Sequence, residues 1–181
     1  MKPYSILFLI LSFTTIFFIY SFSISKASDS QEINHKNWMH HPDIKKIRLI
    51  YEEVESKIKN KNLKILKKSF DYIQPYKPTQ KIIYYDNNNT VRKYIEEAGS
   101  EDSSLTFNYY YDHNKILRFV FITGGAVNGT KLEHRIYFDD NAKKIWEIQK
   151  FTHGPGYTFP KVWPADELIF DPWKRFSENV E

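Results

Sequence analysis

The chain has 181 residues, of which 41% are hydrophobic and 17% aromatic, so it holds enough apolar material for one folded domain and too much for wholesale disorder. Cysteine is absent, which excludes disulfides, thiolate metal sites and a cysteine nucleophile. The formal charge of +4 is too small to indicate nucleic-acid binding.

Residues 1–27 predict a signal peptide. Lys2 gives a positive start, Ile6–Tyr20 is an apolar run, and Ser25-Lys26-Ala27 places small residues at the two positions that a signal peptidase reads. Cleavage after Ala27 removes two lysines and no acidic residue, which lowers the formal charge from +4 to +2. The alternative is an uncleaved membrane anchor, because the apolar stretch is nearly long enough to cross a bilayer. In both cases the domain is predicted to be extracytoplasmic, either periplasmic or secreted.

Residues 28–41 predict a flexible lead-in. His35, His40 and His41 lie close together in it and could share a transition-metal ion. No acidic residue or further histidine at a helical spacing completes such a ligand set. We therefore predict no metal site and no cofactor.

Residues 42–60 predict an amphipathic helix. Pro42 suits the first turn and Asp43 the N-terminal end of the helix dipole. Steps of three and four place five apolar residues on one side: Ile44, Ile47, Tyr51, Val54 and Ile58. The opposite side mixes both charges, which favours packing on a sheet over binding a membrane surface.

A lysine-rich segment, Lys57–Lys68, follows the helix and runs into a predicted first strand. Lys64, Lys67 and Lys68 are expected on the solvent side of an edge strand, where lysines discourage aggregation. The alternative is a patch that binds an anionic polymer. Two prolines make Gln74–Gln80 a connection.

Residues 81–151 carry one pattern three times, an aromatic residue, Asp, any residue and Asn, and each copy predicts the turn of a β-hairpin. The Asp side chain can bind amides two residues on, and the Asn can adopt the left-handed conformation of a tight reversal. The near-constant spacing indicates either a repeated unit or independent use of the same turn chemistry. The copies are Tyr85-Asp86-Asn87-Asn88, Tyr111-Asp112-His113-Asn114 and Phe138-Asp139-Asp140-Asn141.

Alternation along the strand after the second turn predicts apolar residues on both of its faces, as in a central, covered strand. One face is expected to hold Leu117, Phe119 and Phe121, and the other Ile116, Arg118, Val120 and Ile122. In the last strand, Lys144 is expected to share a face with Trp146.

Residues 152–181 are rich in proline and large aromatic residues, which predicts an irregular segment that wraps the sheet. The alternative is an aromatic platform for a sugar or peptide, with Tyr157 and Trp163 as its candidate residues. The whole chain from residue 42 to 181 is predicted to be one α+β domain, an N-terminal helix packed on an antiparallel β-meander of about six to seven strands.

The order of these features resembles a family of small exported bacterial domains without an assigned function. The resemblance runs from about Ile44 to Phe159, and it implies a helix on a meander, and export, but supplies no catalytic residues. It depends on the helix Ile44–Tyr51, a lysine-rich strand, and the segments Ile83–Tyr85, Val91–Lys93, Tyr109–Asp112, Leu117–Phe121 and His134–Phe138.

Catalytic motifs are missing from the sequence, with no Gly-x-Ser-x-Gly elbow, zinc helix or phosphate-binding loop. The best candidates for general acid–base chemistry are His134, Glu133 and Asp112, which neighbouring hairpins could bring together. The same residues could instead form a cross-strand charge network. Arg92 and Arg118 occupy similar places after their turns, so they could form an arginine ladder that pairs carboxylates. Arg135 and Arg118 are the candidate binding residues of this group.

These observations favour a non-catalytic binding module for a partner in the envelope or outside the cell, adhesin-like or inhibitor-like. The expected partner is a protein or an anionic polymer, with membrane contact only through an uncleaved leader. The alternative is a small secreted hydrolase using His134.

Overall fold

The computed structural model describes residues 32–71, 75 and 77–179. The predicted signal peptide, residues 1–27, lies outside the described residues, and its cleavage stays a prediction. Within the described ranges, no helix is both long and apolar enough to span a membrane.

A long helix, α1 (Pro42–Lys59), begins as predicted at Pro42. His41 caps it, because its Nδ1 accepts a hydrogen bond from the backbone amide of Asp43 at 3.3 Å. Ile44, Ile47 and Val54 are fully buried on one side of the helix, as the spacing predicts.

Within the described residues, seven antiparallel strands follow in chain order and form a single meander, which confirms the predicted α+β class. Each strand pairs with the next, so the connections are hairpins or short links. The strands are β1 (Lys64–Ser69), β2 (Pro78–Tyr85), β3 (Val91–Gly99), β4 (Ser103–Tyr111), β5 (Leu117–Ala126), β6 (Lys131–Phe138) and β7 (Lys144–His153). Two short helices that the sequence did not predict close the chain, α2 (Ala165–Leu168) and α3 (Pro172–Ser177).

The three predicted turns share one geometry at one end of the sheet. In each, the Asp Oδ1 accepts hydrogen bonds from the amides two and four residues on, at 2.8 to 3.0 Å. The sequence predicted that the motif Asn would adopt the left-handed conformation. In the structure, the residue after that Asn adopts it. The Asp binds the amide of that Asn, so the chain reverses one position later. The left-handed residues are Asn89, Lys115 and Ala142, with φ of 57°, 65° and 58°.

A β-bulge follows each of these turns and changes which face the next residues occupy. The register skips one residue in each returning strand, and these are Arg92, Arg118 and Ile145. Leu117 consequently packs with Val120 and Ile122, and not with Phe119. The predicted faces of β5 are wrong there, because strict alternation holds only where no residue is inserted. The prediction that Lys144 and Trp146 share a face is wrong for the same reason. Lys144 Nζ donates to the carbonyl of Trp163, on the face of the sheet opposite α1.

The two faces of the sheet have different covers. On the helix face, α1 packs over Tyr110, Phe119 and Tyr137. On the opposite side, which we call the C-terminal face, Leu168 and Phe176 complete a cluster with strand residues. The prediction that the C-terminal segment wraps the sheet is therefore confirmed.

The predicted flexible lead-in differs from the structure over its described part. Ile33 and Trp38 pack against the helix-face cluster. The rings of Trp38 and Trp146 stack with centroids 6.5 Å apart. Trp38 belongs to a polar segment but packs against apolar residues of the sheet. Local composition does not predict such a long-range contact.

Candidate functional site

His134, the predicted general base, is buried with 0% exposure. Its Nε2 lies 2.9 Å from Glu147 Oε1, and its Nδ1 lies 3.3 Å from Gln149 Nε2. Burial lowers the pKa of His134, although Glu147 opposes the change. A neutral imidazole that donates from Nε2 and accepts at Nδ1 satisfies both neighbours.

The network around His134 fastens the C-terminal segment. Glu147 Oε1 also accepts from the Trp163 amide at 2.8 Å, and Gln149 Nε2 donates to the Pro160 carbonyl at 2.6 Å. Both ring nitrogens of His134 thus bind residues of β7 that in turn bind the C-terminal segment, which links β6, β7 and the segment that covers them. This is a structural use of the imidazole.

The other two catalytic candidates are not brought to His134. Glu133 precedes it in the strand, so its side chain lies on the opposite face, where Oε2 is 2.6 Å from Arg135 Nη2. Asp112 lies in a turn and binds Arg118 at 3.1 Å. His134 pairs with Ile122, four residues beyond Arg118, which is roughly 13 Å along the strand.

Arg92 and Arg118 form the arginine ladder that was the alternative prediction. Each is buried at a bulge, and its Nε donates at 3.2 Å to the carbonyl that precedes the next Asp turn, Tyr111 for Arg92 and Phe138 for Arg118. The third bulge holds Ile145 instead. Because β7 is the last strand, an arginine there would have no following turn to bind.

The ladder also joins the sheet to α1. Arg92 Nη1 lies 3.4 Å from Glu53 Oε1, which is also 2.7 Å from Lys57 Nζ and 3.1 Å from His113 Nε2. Burial opposes ionisation of Glu53, but Lys57 and Arg92 outweigh it and lower its pKa to about 2. Arg118 Nη1 lies 2.6 Å from Asp140, which also binds Lys46 of α1.

The lysine candidates are divided between the two faces of the edge strand β1, and do not share one solvent side. Lys64 and Lys68 pair with Tyr85 and Lys81, whereas the intervening Lys67 points to the other face. Lys68 Nζ donates to the Ser177 carbonyl at 3.1 Å, which ties β1 to α3. The predicted polymer-binding lysines therefore do not form one patch.

The aromatic candidates Trp163 and Tyr157 line one small cavity of 260 Å³. Trp163 meets Phe107 edge-to-face with centroids 5.1 Å apart, and the Tyr157 hydroxyl binds Asp102. Both residues therefore help to cover the C-terminal face of the sheet.

Two of the three histidines of the lead-in have separate structural roles. His35 packs on Trp146 with centroids 5.0 Å apart, and His41 caps α1. Across the described ranges, no group of three or more side chains could hold a metal ion.

Half of the helix face is left partly open, and sequence reasoning missed this surface. α1 crosses the row of Tyr110, Phe119 and Tyr137, next to the Asp turns. In the next row, every residue is half-buried. This row, which we call the open strip, consists of successive register partners on six strands: Ile82, Ile95, Asn108, Phe121, Arg135 and Ile148.

The open strip combines apolar side chains with one cation. It spans about 24 Å across six strands at the usual strand spacing. The Arg135 guanidinium lies 5.1 Å from the centroid of the Phe121 ring. Two residues of the strip, Phe121 and Arg135, line a cavity of 360 Å³ together with Arg48, Tyr51 and Glu52 of α1. Each strand supplies a single residue, so only the register reveals the strip.

A second set of residues that the sequence did not indicate lies on the C-terminal face. Glu96 is 5% exposed, and Arg175, from α3, lies beside its carboxylate. Lys81 is 2% exposed, and its Nζ donates to the carbonyls of Arg175 and Glu178. Seventy-nine residues separate Glu96 from Arg175, so no local pattern could have joined them.

Comparisons with protein-family models, with curated proteins and with solved structures gave no match. The functional assignment therefore depends on the chain's own residues and geometry.

Proposed function

We propose that this chain is an exported, non-catalytic binding module whose open strip holds a protein partner in the envelope or outside the cell. The observation that carries the proposal is the continuous row of half-buried residues on six strands of one sheet. A hydrogen-bonded sheet holds such a row in fixed positions, so little ordering entropy is lost on binding. Export is supported by the predicted signal peptide and by the resemblance to small exported domains.

The chemistry of the strip suits a protein interface. Four of its six residues are apolar, the other two being Asn108 and Arg135, and the row beyond it is polar. This outer row consists of Gln80, Glu97, Thr106, Thr123, Glu133 and Lys150. An apolar centre with an arginine, bordered by polar groups, matches the composition of interface cores and rims.

An anionic polymer is a weaker candidate partner. Binding a polyanion needs several cations in one patch. Lys64 and Lys68 lie on the face opposite Lys67, and the strip's Arg135 is already paired with Glu133.

The hydrolase alternative lacks an accessible base. His134 is 0% exposed, with both nitrogens beside protein groups, and Asp112 lies in a distant turn. A substrate could reach this imidazole only if the C-terminal segment left the sheet.

The test is affinity capture with the chain from Ser28 onward, immobilised and exposed to envelope and culture-fluid extracts of its own organism. Ile95→Glu and Ile148→Glu place a charge in the strip at half-buried positions. Leu49→Glu is the matched control, because Leu49 is 65% exposed on α1 and lies outside the strip.

We expect one saturable protein, retained by the wild type and by Leu49→Glu and lost by both strip variants. Equal retention by all four proteins would contradict a role for the strip. Retention of acidic polymers alone, lost as salt rises, would assign binding to the lysines instead.

A further inference from the structure

A cavity of 540 Å³ lies between the C-terminal face of the sheet and the segment that covers it. Its volume falls within the range of pockets that bind small molecules. The walls are mainly apolar and aromatic, and include Leu105, Phe107, Trp163 and Leu168. Three charged residues, Glu96, Glu167 and Arg175, also line it.

One oxygen of the buried Glu96 carboxylate has no hydrogen-bond partner among the described residues. Arg175 Nη2 is 3.2 Å from Oε1, and Nε and Nη2 are 3.4 Å from Oε2, but the geometry of a hydrogen bond is met only at Oε2. The hydroxyl of Tyr94, a neighbour in β3, is also buried without a partner there. A buried carboxylate oxygen normally accepts hydrogen bonds. Because Oε1 is buried beside Arg175, a donor from a ligand would reach it when the Arg175 side chain, which is 45% exposed, moves aside.

The charge of the lining favours a cation. Two acidic residues and one basic residue line the cavity. Lys81, the register partner of Glu96, is outside this lining, and its Nζ is 2.9 Å from the Arg175 carbonyl and 3.0 Å from the Glu178 carbonyl. Burial raises the pKa of Glu96, and Arg175 and Lys81 oppose the change, so a further cation would relieve more of the cost of the buried charge.

We propose that this cavity binds a small amphipathic ammonium compound. Its aromatic or branched aliphatic body would pack against Phe107 and Trp163, whose rings meet edge-to-face. Its protonated amine would donate to Glu96 Oε1, close to aromatic rings that also favour a cation. The cavity is on the opposite face from the open strip, so this site does not depend on the proposed protein partner.

Three probes with the same phenyl body test the proposal by titration calorimetry: 2-phenylethylamine, 2-phenylethanol and 3-phenylpropionate. We expect the amine to bind at least roughly tenfold more tightly than the alcohol, and the acid to bind least. Glu96→Gln should weaken amine binding roughly 10- to 100-fold, the range for a hydrogen bond to a charged group. Glu97→Gln is the matched control, since Glu97 lies on the helix face.

The probe series on the wild type needs no variant, so the test survives if Glu96→Gln folds poorly. Leu105→Trp, which fills the cavity, should abolish binding of the amine while the protein keeps its circular dichroism. Tightest binding of the acid would assign the cavity to anions through Arg175 and overturn the proposal. The absence of saturable binding by the amine, or equal binding by Leu105→Trp, would also overturn it.

Discussion

At the scale of single residues, the three Asp turns differ in how much backbone strain they carry. The left-handed position is Asn89 in the first turn, Lys115 in the second and Ala142 in the third. Asn tolerates this conformation, whereas a Cβ without a compensating polar group costs about 1 kcal/mol. The second and third turns, with Lys115 and Ala142 at this position, are therefore more strained than the first.

Ala142→Gly should stabilise the protein by about 0.5 kcal/mol, because relief of strain exceeds the extra entropy of the unfolded chain. Asn89→Gly should leave the free energy of unfolding almost unchanged. Denaturant unfolding of both variants checks this pair. A loss of stability in Ala142→Gly would show that the position carries no strain.

The carboxylate of Glu53 makes the junction between α1 and the ladder sensitive to acid. Its pKa in the fold is about 2, below the ordinary 4.5, so the ionised form is the one that the fold stabilises. This contribution is fully present above pH 4.5 and is lost as the pH falls towards 2.

Glu53→Gln should therefore reduce the free energy of unfolding at pH 7, and its difference from the wild type should shrink as the pH falls from 4.5 to 2. The measurement is denaturant unfolding across this pH range. Glu52→Gln, one residue away and outside the ion-pair cluster, is the control. A difference that stays constant with pH would contradict the role of the charge.

At the scale of elements, the unit of this fold is an Asp turn followed by a bulge. Arg92 and Arg118 lie at the bulges, and the Nε of each donates a hydrogen bond to the backbone carbonyl that precedes the next Asp turn. The hairpins are thus joined by side chains as well as by the backbone ladder. The exception at Ile145 agrees with this account, because that side chain packs in the helix-face cluster where no further hairpin follows.

Arg118→Met should cost about 3 kcal/mol, because it leaves the carboxylate of Asp112 buried without its cation. Arg135→Met is the matched control: its pair with Glu133 is about one-third exposed and should contribute at most about 1 kcal/mol. Equal losses in the two variants, measured by denaturant unfolding, would contradict the ladder as a buried support.

Local patterns in the sequence predict most of the helices and strands but few of the long-range contacts between them. The three-and-four spacing from Ile44 gave α1, and Asp112 and its equivalents gave the turns. The faces of β5 could not be derived, since a bulge leaves no clear mark in the composition. The open strip and the Glu96–Arg175 pair are long-range consequences of register and of the C-terminal path, which depend on the whole fold.

At the scale of the molecule, a single sheet is stable here because each face has its own cover. Residues of β5 and β6 such as Val120, Ile122 and Ile136 are fully buried only with Leu168 and Phe176 above them. The His134–Glu147 network holds the start of this cover, and Lys81 holds its end through the carbonyls of α3. Without the cover, a broad apolar surface would meet water.

A chain that ends at Pro160 should therefore lose cooperative unfolding and bind a hydrophobic dye, because it removes both α2 and α3. Removing only residues 179–181 is the control and should preserve the transition, since Lys81 keeps both carbonyl acceptors. Thermal unfolding followed by circular dichroism, with dye fluorescence in parallel, distinguishes the two. A cooperative transition in the shorter chain would mean that the meander and α1 are stable alone, and that the cavity beside Glu96 belongs to a removable lid.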